Sequence, residues 1–406
     1  MPNMCTSSRH GSVHTARFVL ATALAISSLL AGCAQSPTVA PTGAAGPATW
    51  ASATATNQWN EYATELIARN GVGQLPAART LGYLNLAIHN GIVQARSERQ
   101  NPDGAAAGAA AVVLAQLFPK DEPATTARLQ RELQALGTAH RPGYQAGVEA
   151  GRKAAQEVLA MMRADRVAAP WTGSVPTGAG MWSSRAQPPA PPAGPNLGAA
   201  RTFFLTTGAD YRSPPPPPYG SAGFQEQVRQ VRAVSDSRTN EQIRIAQYWE
   251  NLTGSFAAGA WNAVARSAMA ARNFDEARTA RTLATLHMAA VDANIACHDS
   301  KYVYWVPRPT QADPRITLPI GVPNHPSYPS NHACISGAIG HVLDRMLPDT
   351  NRMYEAMARQ AGESRVYAGI HYPMDLDAGF AIARKVADRA LQVGVAPDRP
   401  FVPQGR

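Results

Sequence analysis

The chain has 406 residues, of which 45% are hydrophobic and 16% charged, so it can bury a sizeable core and is not globally disordered. Its net charge of +9 suits anionic substrates, although a solvated basic surface without a partner gives the same balance. Nucleic-acid binding is not expected, because the sequence has no Lys/Arg run with interleaved aromatic residues and no zinc-ligand spacing.

The N-terminus has the pattern of an export signal. Two arginines precede the apolar stretch 18–30, which is too short to span a bilayer and runs into Leu-Ala-Gly-Cys33. This ending resembles a bacterial lipoprotein box, so residues 1–32 are predicted to be a signal peptide and Cys33 the lipidated residue. Ala34 after the cysteine favours the periplasmic face of the outer membrane. An ordinary cleaved signal beside a coincidental cysteine is the alternative.

Composition divides the rest of the chain into four segments. Residues 33–55 are small and aperiodic, which predicts a flexible tether. Residues 56–169 carry apolar residues at helical spacing, and residues 223–395 form a second helical region of the same domain. Between them, Pro and Gly dominate residues 170–222, which predicts a long non-helical crossing near the site. Because no sustained strand alternation occurs, the fold class is all-α, a helical bundle.

The second helical region has recognisable helix starts. Its helices are predicted to begin after Thr239 as an N-cap, to run from about Asp275 to His298, and to begin near Ser330, Met353 and Asp375. Apolar residues at 335, 338, 339, 342, 343 and 346 form a full amphipathic stripe on the third of them.

Lys301 and Arg308 make up the first segment whose side chains could take part in binding or catalysis. Lysine offers a compact charge and arginine a planar pair of donors, so the two suit an oxyanion. Any exposed Lys/Arg pair has this pattern, so the segment is weak evidence on its own.

The second segment is Ser330-Asn331-His332, at a predicted helix start. Free N–H groups at a helix N-terminus bind anions, and Ser330 can add a hydroxyl and Asn331 a backbone N–H. His332 can exchange a proton near neutral pH. The alternative is that Ser330 is only an N-cap.

The third segment contains Arg365, His371 and Asp375. Arg365 adds a second guanidinium for the same anion. Because His371 and Asp375 are four residues apart, a helical turn would let the carboxylate hold one ring nitrogen and leave the other free to attack. A surface arginine beside a structurally bonded histidine is the alternative.

Together, Lys-x6-Arg-Pro, Pro-Ser-x-His and Ser-Arg-x5-His-x3-Asp resemble the signature of the type 2 phosphatidic acid phosphatase and vanadium haloperoxidase superfamily. The resemblance implies a helical bundle of that type with a phosphate- or vanadate-binding site. The residues that it assigns to binding are Lys301, Arg308, Ser330, Asn331 and Arg365. Those that it assigns to catalysis are His371, His332 and Asp375.

The resemblance covers roughly residues 56–390. The segment 237–242 with Trp249, and the Ala78-Arg79 helix with His89, look like parts of bacterial haloperoxidase-like proteins. The compact spacing of the motifs resembles bacterial acid phosphatases instead. Asn331 stands where the family usually has glycine. The asparagine keeps the backbone N–H donor, and its side chain is expected to narrow the pocket.

The leading hypothesis is phosphomonoester hydrolysis without a cofactor, on a small phosphorylated substrate. His371 attacks phosphorus and forms a phosphohistidine, and Asp375 orients it. His332 protonates the leaving oxygen and then activates water. The cationic side chains hold the equatorial oxygens and replace a divalent metal.

In the alternative, the same residues hold vanadate, with His371 as its ligand and peroxide and halide as partners. His325, Tyr328 and Trp305 are candidates for tuning the halide chemistry. A third hypothesis, a lipoprotein that only binds anions or partners, is disfavoured by the intact histidine pair.

The remaining expectations concern assembly and redox state. The membrane is expected to be contacted through the lipid anchor only. Soluble members of the superfamily often pair through helices, which leaves a homodimer and other oligomeric states open. Cys297 and Cys334 either form a disulfide in an oxidising compartment or remain two buried thiols.

Overall fold

The computed structural model describes residues 54–136, 142–165, 167, 169–251, 256–347 and 349–405. The predicted signal peptide, Cys33 and nearly all of the tether lie outside the described residues. Among the described helices, none combines the length and the apolar character that crossing a bilayer requires.

The N-terminal region consists of helices that pack side by side. Their bounds are α1 Ala55–Arg69, α2 Gln74–Ser97, α3 Pro102–Leu117, α4 Glu122–Leu136 and α5 Tyr144–Arg163. Local chemistry explains two of the starts. The Thr54 side chain accepts from the Asn57 N–H at 3.2 Å, and the Asn101 side chain accepts from the Gly104 N–H at 3.1 Å, with a proline opening α3.

The Pro/Gly-rich crossing has no α-helix between residues 169 and 221, and its regular structure there is limited to two short 3-10 turns. It lies against loops of the C-terminal region. The Trp182 N–H donates to the Trp305 carbonyl at 2.8 Å, and the Ala193 N–H donates to the Asn324 carbonyl at 2.8 Å. The crossing therefore lies against the loops that contain Trp305 and Asn324.

The C-terminal region builds the rest of the bundle. Its helices are α6 Ala222–Ser237, α7 Asn240–Asn251, α8 Phe256–Ala270, α9 Glu276–Tyr304, α10 Pro309–Ala312, α11 Asn331–Met346, α12 Met353–Tyr367 and α13 Pro373–Val393. The described residues contain no strand, and the all-α fold class is confirmed. The prediction that helices resume at Thr239 was wrong, because α6 precedes it, and α9 continues six residues past His298.

Helix α11 lies at the centre of this region, against α9, α12 and α13. The predicted stripe is buried: Ile335, Ile339 and Leu343 have no exposed surface, and only its last residue is half-buried. Because α11 is held on several sides, its N-terminus is fixed at one end of the bundle.

Helices α3 and α5 approach each other through a row of glycines: Gly104, Gly108, Gly147 and Gly151. At each of them, a Cβ atom would overlap the backbone of the other helix. At Gly151, for example, it would overlap the Ala105 carbonyl oxygen and lie 2.7 Å from the Ala109 backbone nitrogen. The two backbones are therefore in direct contact, which only glycine allows.

Glu276, in the first turn of α9, joins the two regions through Thr56. Its Oε1 accepts from the Thr56 N–H at 2.8 Å and from the Thr56 hydroxyl, while Oε2 has no partner among the described residues. Burial raises the pKa of Glu276 to about 8. The folded chain thus keeps this carboxyl protonated.

We expect this proton to make stability fall as the pH rises. A carboxyl whose pKa is raised on folding stabilises fully below its unfolded value, here about 4.5, and loses that contribution as the pH rises through about 8. Glu276→Gln mimics the protonated form, so its urea midpoint should drop less between pH 5 and pH 9 than that of the wild type. The exposed Glu149→Gln is the control. An unchanged slope in Glu276→Gln would contradict the prediction.

Candidate active site

The predicted site residues converge where the ends of five helices meet. Lys301 lies in the last turn of α9, Arg365 in the last turn of α12, and Ser330 caps α11. His371 directly precedes α13, and Arg308 directly precedes α10. All of these side chains are buried, with at most 3% of their surface exposed. We refer to this group, together with Asn331, His332 and Asp375, as the cradle.

His371 and Asp375 form the pair that the four-residue spacing predicts. The His371 Nδ1 lies 2.8 Å from Asp375 Oδ2, which also accepts from the Ser327 hydroxyl at 2.6 Å and the Tyr372 N–H at 3.1 Å. Burial, Arg308 and Lys301 hold the pKa of His371 well below its usual range, while burial raises the pKa of Asp375 to about 6. His371 is therefore a neutral imidazole whose Nδ1 hydrogen is donated to the carboxylate.

The other nitrogen of His371 faces Arg308. The Arg308 Nη1 lies 3.0 Å from His371 Nε2 and donates to the Ile370 carbonyl at 2.7 Å. Its Nε donates to the His325 carbonyl at 3.0 Å, and its Nη2 lies 3.0 Å from His325 Nδ1. Since a guanidinium can only donate, His371 Nε2 is the acceptor of this contact, whereas His325 Nδ1 also lies 3.1 Å from the Pro326 carbonyl. His371 thus presents an electron pair on Nε2 to the cradle.

The Lys301 ammonium group forms hydrogen bonds with backbone carbonyls in this structure. Its Nζ donates to the carbonyls of Pro326 at 2.9 Å, Ser327 at 2.8 Å and Pro329. These bonds use all three of its hydrogens. Burial lowers the pKa of Lys301 to about 8, so it remains a cation at neutral pH. It contributes charge to the cradle and holds the loop before α11 in shape.

The start of α11 supplies uncharged donors. Ser330 makes no side-chain cap, and its Oγ has no partner among the described residues although it is fully buried. The Asn331 side chain accepts from the Cys297 thiol at 2.8 Å, so this amide lies against α9. Cys297 and Cys334 are both free and buried, which answers the question that the sequence left open. The first N–H groups of α11 and the Ser330 hydroxyl are thus available to an anion.

His332 has one nitrogen engaged and one free. Its Nε2 lies 2.9 Å from the Trp249 carbonyl, which can only accept, so the ring hydrogen is on Nε2. No partner meets Nδ1 in the part of the chain that the structure describes. Burial and the charge of Arg365 lower the pKa of His332, while the hydrogen bond to the Trp249 carbonyl raises it. The net pKa lies well below the usual range. His332 is thus neutral, with an unprotonated Nδ1.

Arg365 is held by α7. Its Nη1 lies 2.5 Å from the Glu250 carboxylate, its Nη2 donates to the Ala246 carbonyl at 2.7 Å, and its Nε donates to the Ser364 hydroxyl at 2.9 Å. One hydrogen on each terminal nitrogen remains. Arg365 and Arg308 both lower the pKa of His332, and His332 lowers that of His371, so the groups act on one another across one site.

Sequence reasoning missed three contributors. Glu250 and the Trp249 carbonyl carry no motif, because they reach the cradle only through the packing of α7 on α12. Ser327 lies inside the second motif, and its position in the Pro-Ser-Tyr-Pro run could have marked it. The role assigned to each residue of the cradle stays a prediction.

Residues 282–393 match the family model described as PAP2 superfamily, and this segment contains all three motifs. The segment belongs to the PAP2 superfamily. The recognition of that superfamily from the motifs is confirmed for this segment, and the match supports an enzyme. No curated protein sequence matches the chain.

Solved structures extend the likeness beyond the matched segment. A bacterial vanadium-dependent iodoperoxidase has a TM-score of 0.70 and 22% identity over 83% of this chain and 96% of its own. The holo form of a bacterial vanadium-dependent chloroperoxidase has a TM-score of 0.65 and 14% identity over 79% and 92% of the two chains. At these identities the likeness shows the fold alone.

The cradle has the side chains that a tetrahedral oxyanion requires. Three buried cations, Lys301, Arg308 and Arg365, outnumber the two carboxylates, Asp375 and Glu250. The orphaned Ser330 hydroxyl and the helix N-terminus add neutral donors. Among the described residues, no cluster of His, Cys, Asp and Glu could hold a metal cation. The residues therefore fit phosphate or vanadate.

Proposed function

We propose that the chain is a vanadate-dependent haloperoxidase. The observation that carries the proposal is the state of His332, whose hydrogen is committed to the Trp249 carbonyl and whose Nδ1 is unprotonated. A phosphatase needs this residue to donate a proton to a leaving oxygen in the first step, whereas a peroxidase needs a base for hydrogen peroxide. The low pKa of His332 supports the second role.

In this proposal, Arg308, Arg365, Ser330 and the first N–H groups of α11 would hold the oxygens of vanadate, Lys301 would add positive charge beside them, and His371 Nε2 would be the protein ligand. The chemistry that vanadate supplies when bound is the activation of peroxide toward a halide ion. Asp375 keeps the hydrogen of His371 on Nδ1 and so keeps Nε2 available. His332 Nδ1 takes a proton from incoming peroxide.

The fold also supports the haloperoxidase proposal. The similarity to the vanadium-dependent iodoperoxidase covers 83% of the chain and so extends into the N-terminal helices, whereas the PAP2 match covers residues 282–393. The cradle is also closed, and its three reactive groups, His332, His371 and Arg365, are at most 6% exposed. Peroxide and halide are small enough for such a site.

Phosphoester hydrolysis is the second candidate. The PAP2 match favours it, since residues 282–393 hold the complete set of cationic and histidine side chains. The His371 Nε2 electron pair could attack phosphorus, with no cofactor required. An incoming phosphate dianion would raise the pKa of His332 and restore its hydrogen on Nδ1.

Side-by-side assays of the purified full-length chain test the proposal. We expect hydrogen peroxide and bromide or iodide to give halogenation of a dye only after vanadate is added, and aryl-phosphate hydrolysis to be weak. Inorganic phosphate should inhibit halogenation by competing for the cradle. Efficient aryl-phosphate hydrolysis without any halogenation would reject the peroxidase and establish the phosphatase.

We also propose that the enzyme is an exported lipoprotein on the periplasmic face of the outer membrane. The motif ending at Cys33 supports this location. Cys33→Ser is expected to move the chain from the membrane fraction to the soluble fraction, or to leave an uncleaved precursor, because the lipid cannot attach. Cys334→Ser is the control, since that thiol is buried in the bundle. A Cys33→Ser chain that is processed and remains membrane-bound would contradict the anchor.

A further inference from the structure

A small cavity lies at the start of α9, far from the cradle. Its volume is about 200 Å³, and the described residues that line it come from α2, the start of α9 and the segment after α13. Pockets for drug-sized molecules have about 300–1,000 Å³. Since a helix rises about 1.5 Å per residue, the length of α9 from Arg281 to Lys301 separates this cavity from the cradle by about 30 Å. The cavity therefore suits a small ion, which takes no part in turnover at the cradle.

The cavity has an excess of positive charge. It is lined by three arginines, Arg96, Arg278 and Arg281, and by one carboxylate, Asp275. Asp275 is engaged as the N-cap of α9, where its side chain accepts from the Arg278 backbone N–H at 2.7 Å. No ion pair between the three arginines and a carboxylate occurs in the part of the chain that the structure describes. An anion would therefore meet positive charge that no carboxylate already pairs with.

His89 lies beside Arg281 at the buried end of the cavity. The Arg281 Nε donates to the Val395 carbonyl at 2.7 Å, and the next carbonyl along the chain, that of Ala396, accepts from the His89 ring. The Cα atoms of consecutive residues are only about 3.8 Å apart, so the two side chains are neighbours. Burial and the charge of Arg281 lower the pKa of His89, whereas the Ala396 hydrogen bond raises it, and the net value is about 4. His89 is therefore a neutral imidazole at neutral pH.

The ring of His89 presents a hydrogen-bond acceptor to the cavity. Its Nε2 is buried and has no partner among the described residues, so the hydrogen bond to the Ala396 carbonyl is made by Nδ1. Because a carbonyl can only accept, the ring hydrogen is on Nδ1 and Nε2 carries an electron pair. The side chain is only 2% exposed, and a buried acceptor without a partner is costly unless a guest donates to it. The matching guest is an anion that also carries an O–H group.

We propose that this cavity is a second anion site and that it binds inorganic phosphate. The phosphate O–H donates to His89 Nε2, and the other oxygens accept from the terminal nitrogens of Arg281. Arg96 and Arg278 add positive charge at the exposed mouth. Phosphate keeps at least one O–H hydrogen at neutral pH, whereas sulfate has none. The acceptor on His89 thus selects between two anions of the same shape.

Equilibrium dialysis of the full-length chain against radiolabelled inorganic phosphate tests the location. We expect two binding events in the wild type, one in the cradle and one in this cavity. Arg96→Gln/Arg278→Gln is expected to weaken one event at least about tenfold and to leave the other unchanged, because both removed charges line this cavity. Arg384→Gln/Lys385→Gln, which removes two exposed charges from α13, is the matched control. Equal phosphate binding by both double variants and the wild type would overturn the proposal.

Competition experiments test the role of His89. At the event that Arg96→Gln/Arg278→Gln weakens, we expect sulfate to displace labelled phosphate at least about tenfold less effectively than unlabelled phosphate does. Phenyl phosphate, which at pH 7 is mostly a dianion without an O–H hydrogen, should also compete poorly. His89→Asn keeps a donor for the Ala396 carbonyl and removes the acceptor, so it should abolish the preference over sulfate. A wild type in which either competitor matches phosphate, or an undiminished preference in His89→Asn, would refute the site.

Neither result depends on the chemistry of the cradle. A chain that halogenates a dye with vanadate, but whose phosphate binding is unaffected by Arg96→Gln/Arg278→Gln, overturns the second anion site and keeps the peroxidase. A chain that binds phosphate in this cavity as expected but never halogenates keeps the second anion site and overturns the peroxidase.

Discussion

Replacing His371 with alanine is expected to lower turnover at least about 10³-fold, whichever of the two chemistries the chain performs. His371 Nε2 is the electron pair that faces the cradle, because Asp375 fixes the hydrogen on Nδ1 and Arg308 donates toward Nε2. Alanine removes the vanadate ligand of the peroxidase and the nucleophile of the phosphatase. Halogenation and aryl-phosphate hydrolysis are measured in parallel, with vanadate binding followed by ⁵¹V NMR.

The matched control is His89→Ala. His89 is another buried imidazole, 2% exposed, and burial lowers its pKa to about 4, but it lies on α2 away from the cradle. His89→Ala should therefore lose stability and retain turnover per folded molecule. Turnover of folded His371→Ala within tenfold of the wild type would reject the assignment of His371.

Gly151→Ala is expected to destabilise the fold by about 3 kcal/mol. The added Cβ would overlap the Ala105 carbonyl oxygen and lie 2.7 Å from the Ala109 nitrogen, so α3 and α5 would have to separate. Overpacking of this kind costs about 1–3 kcal/mol even where flexible side chains absorb it, and here the obstacle is backbone. The gain of about 1 kcal/mol in helix propensity offsets only part of the loss.

Urea unfolding of Gly151→Ala and Gly73→Ala provides the measurement. Gly73 caps α2, and a Cβ there meets nothing within 4 Å, so its replacement should lower the unfolding free energy by at most about 1 kcal/mol, the cost of a less favourable N-cap residue. Equal stability of the two variants would show that α3 and α5 can move apart at little cost.

The sequence was most informative where local rules apply. The amphipathic stripe of α11, the helix starts near Met353 and Asp375, and the His371–Asp375 pair all follow from periodicity and capping, and the structure contains each of them. The oxyanion residues could be grouped before the structure because three short segments fit one chemistry. The Pro/Gly-rich crossing was visible from composition alone.

What could not be predicted depends on packing between distant parts of the chain. Helix α6 was not predicted as a separate element, although the predicted helical region begins at residue 223, because only three residues separate Ala222 from the last proline of the crossing. The engagement of Arg365 by Glu250 brings together residues 115 positions apart, and no pattern in either segment announces it. The cavity beside His89 is likewise formed by segments from both halves of the chain, so no local signal exists for it.

The three carbonyls around Lys301 affect how the enzyme is loaded. Since the loop before α11 is held by an internal ammonium, its shape does not depend on which ion arrives. Vanadate and phosphate can then exchange by simple mass action, without refolding. Under the proposed peroxidase function, the ratio of vanadate to phosphate around the enzyme then sets which ion occupies the cradle, and abundant phosphate keeps the enzyme inactive.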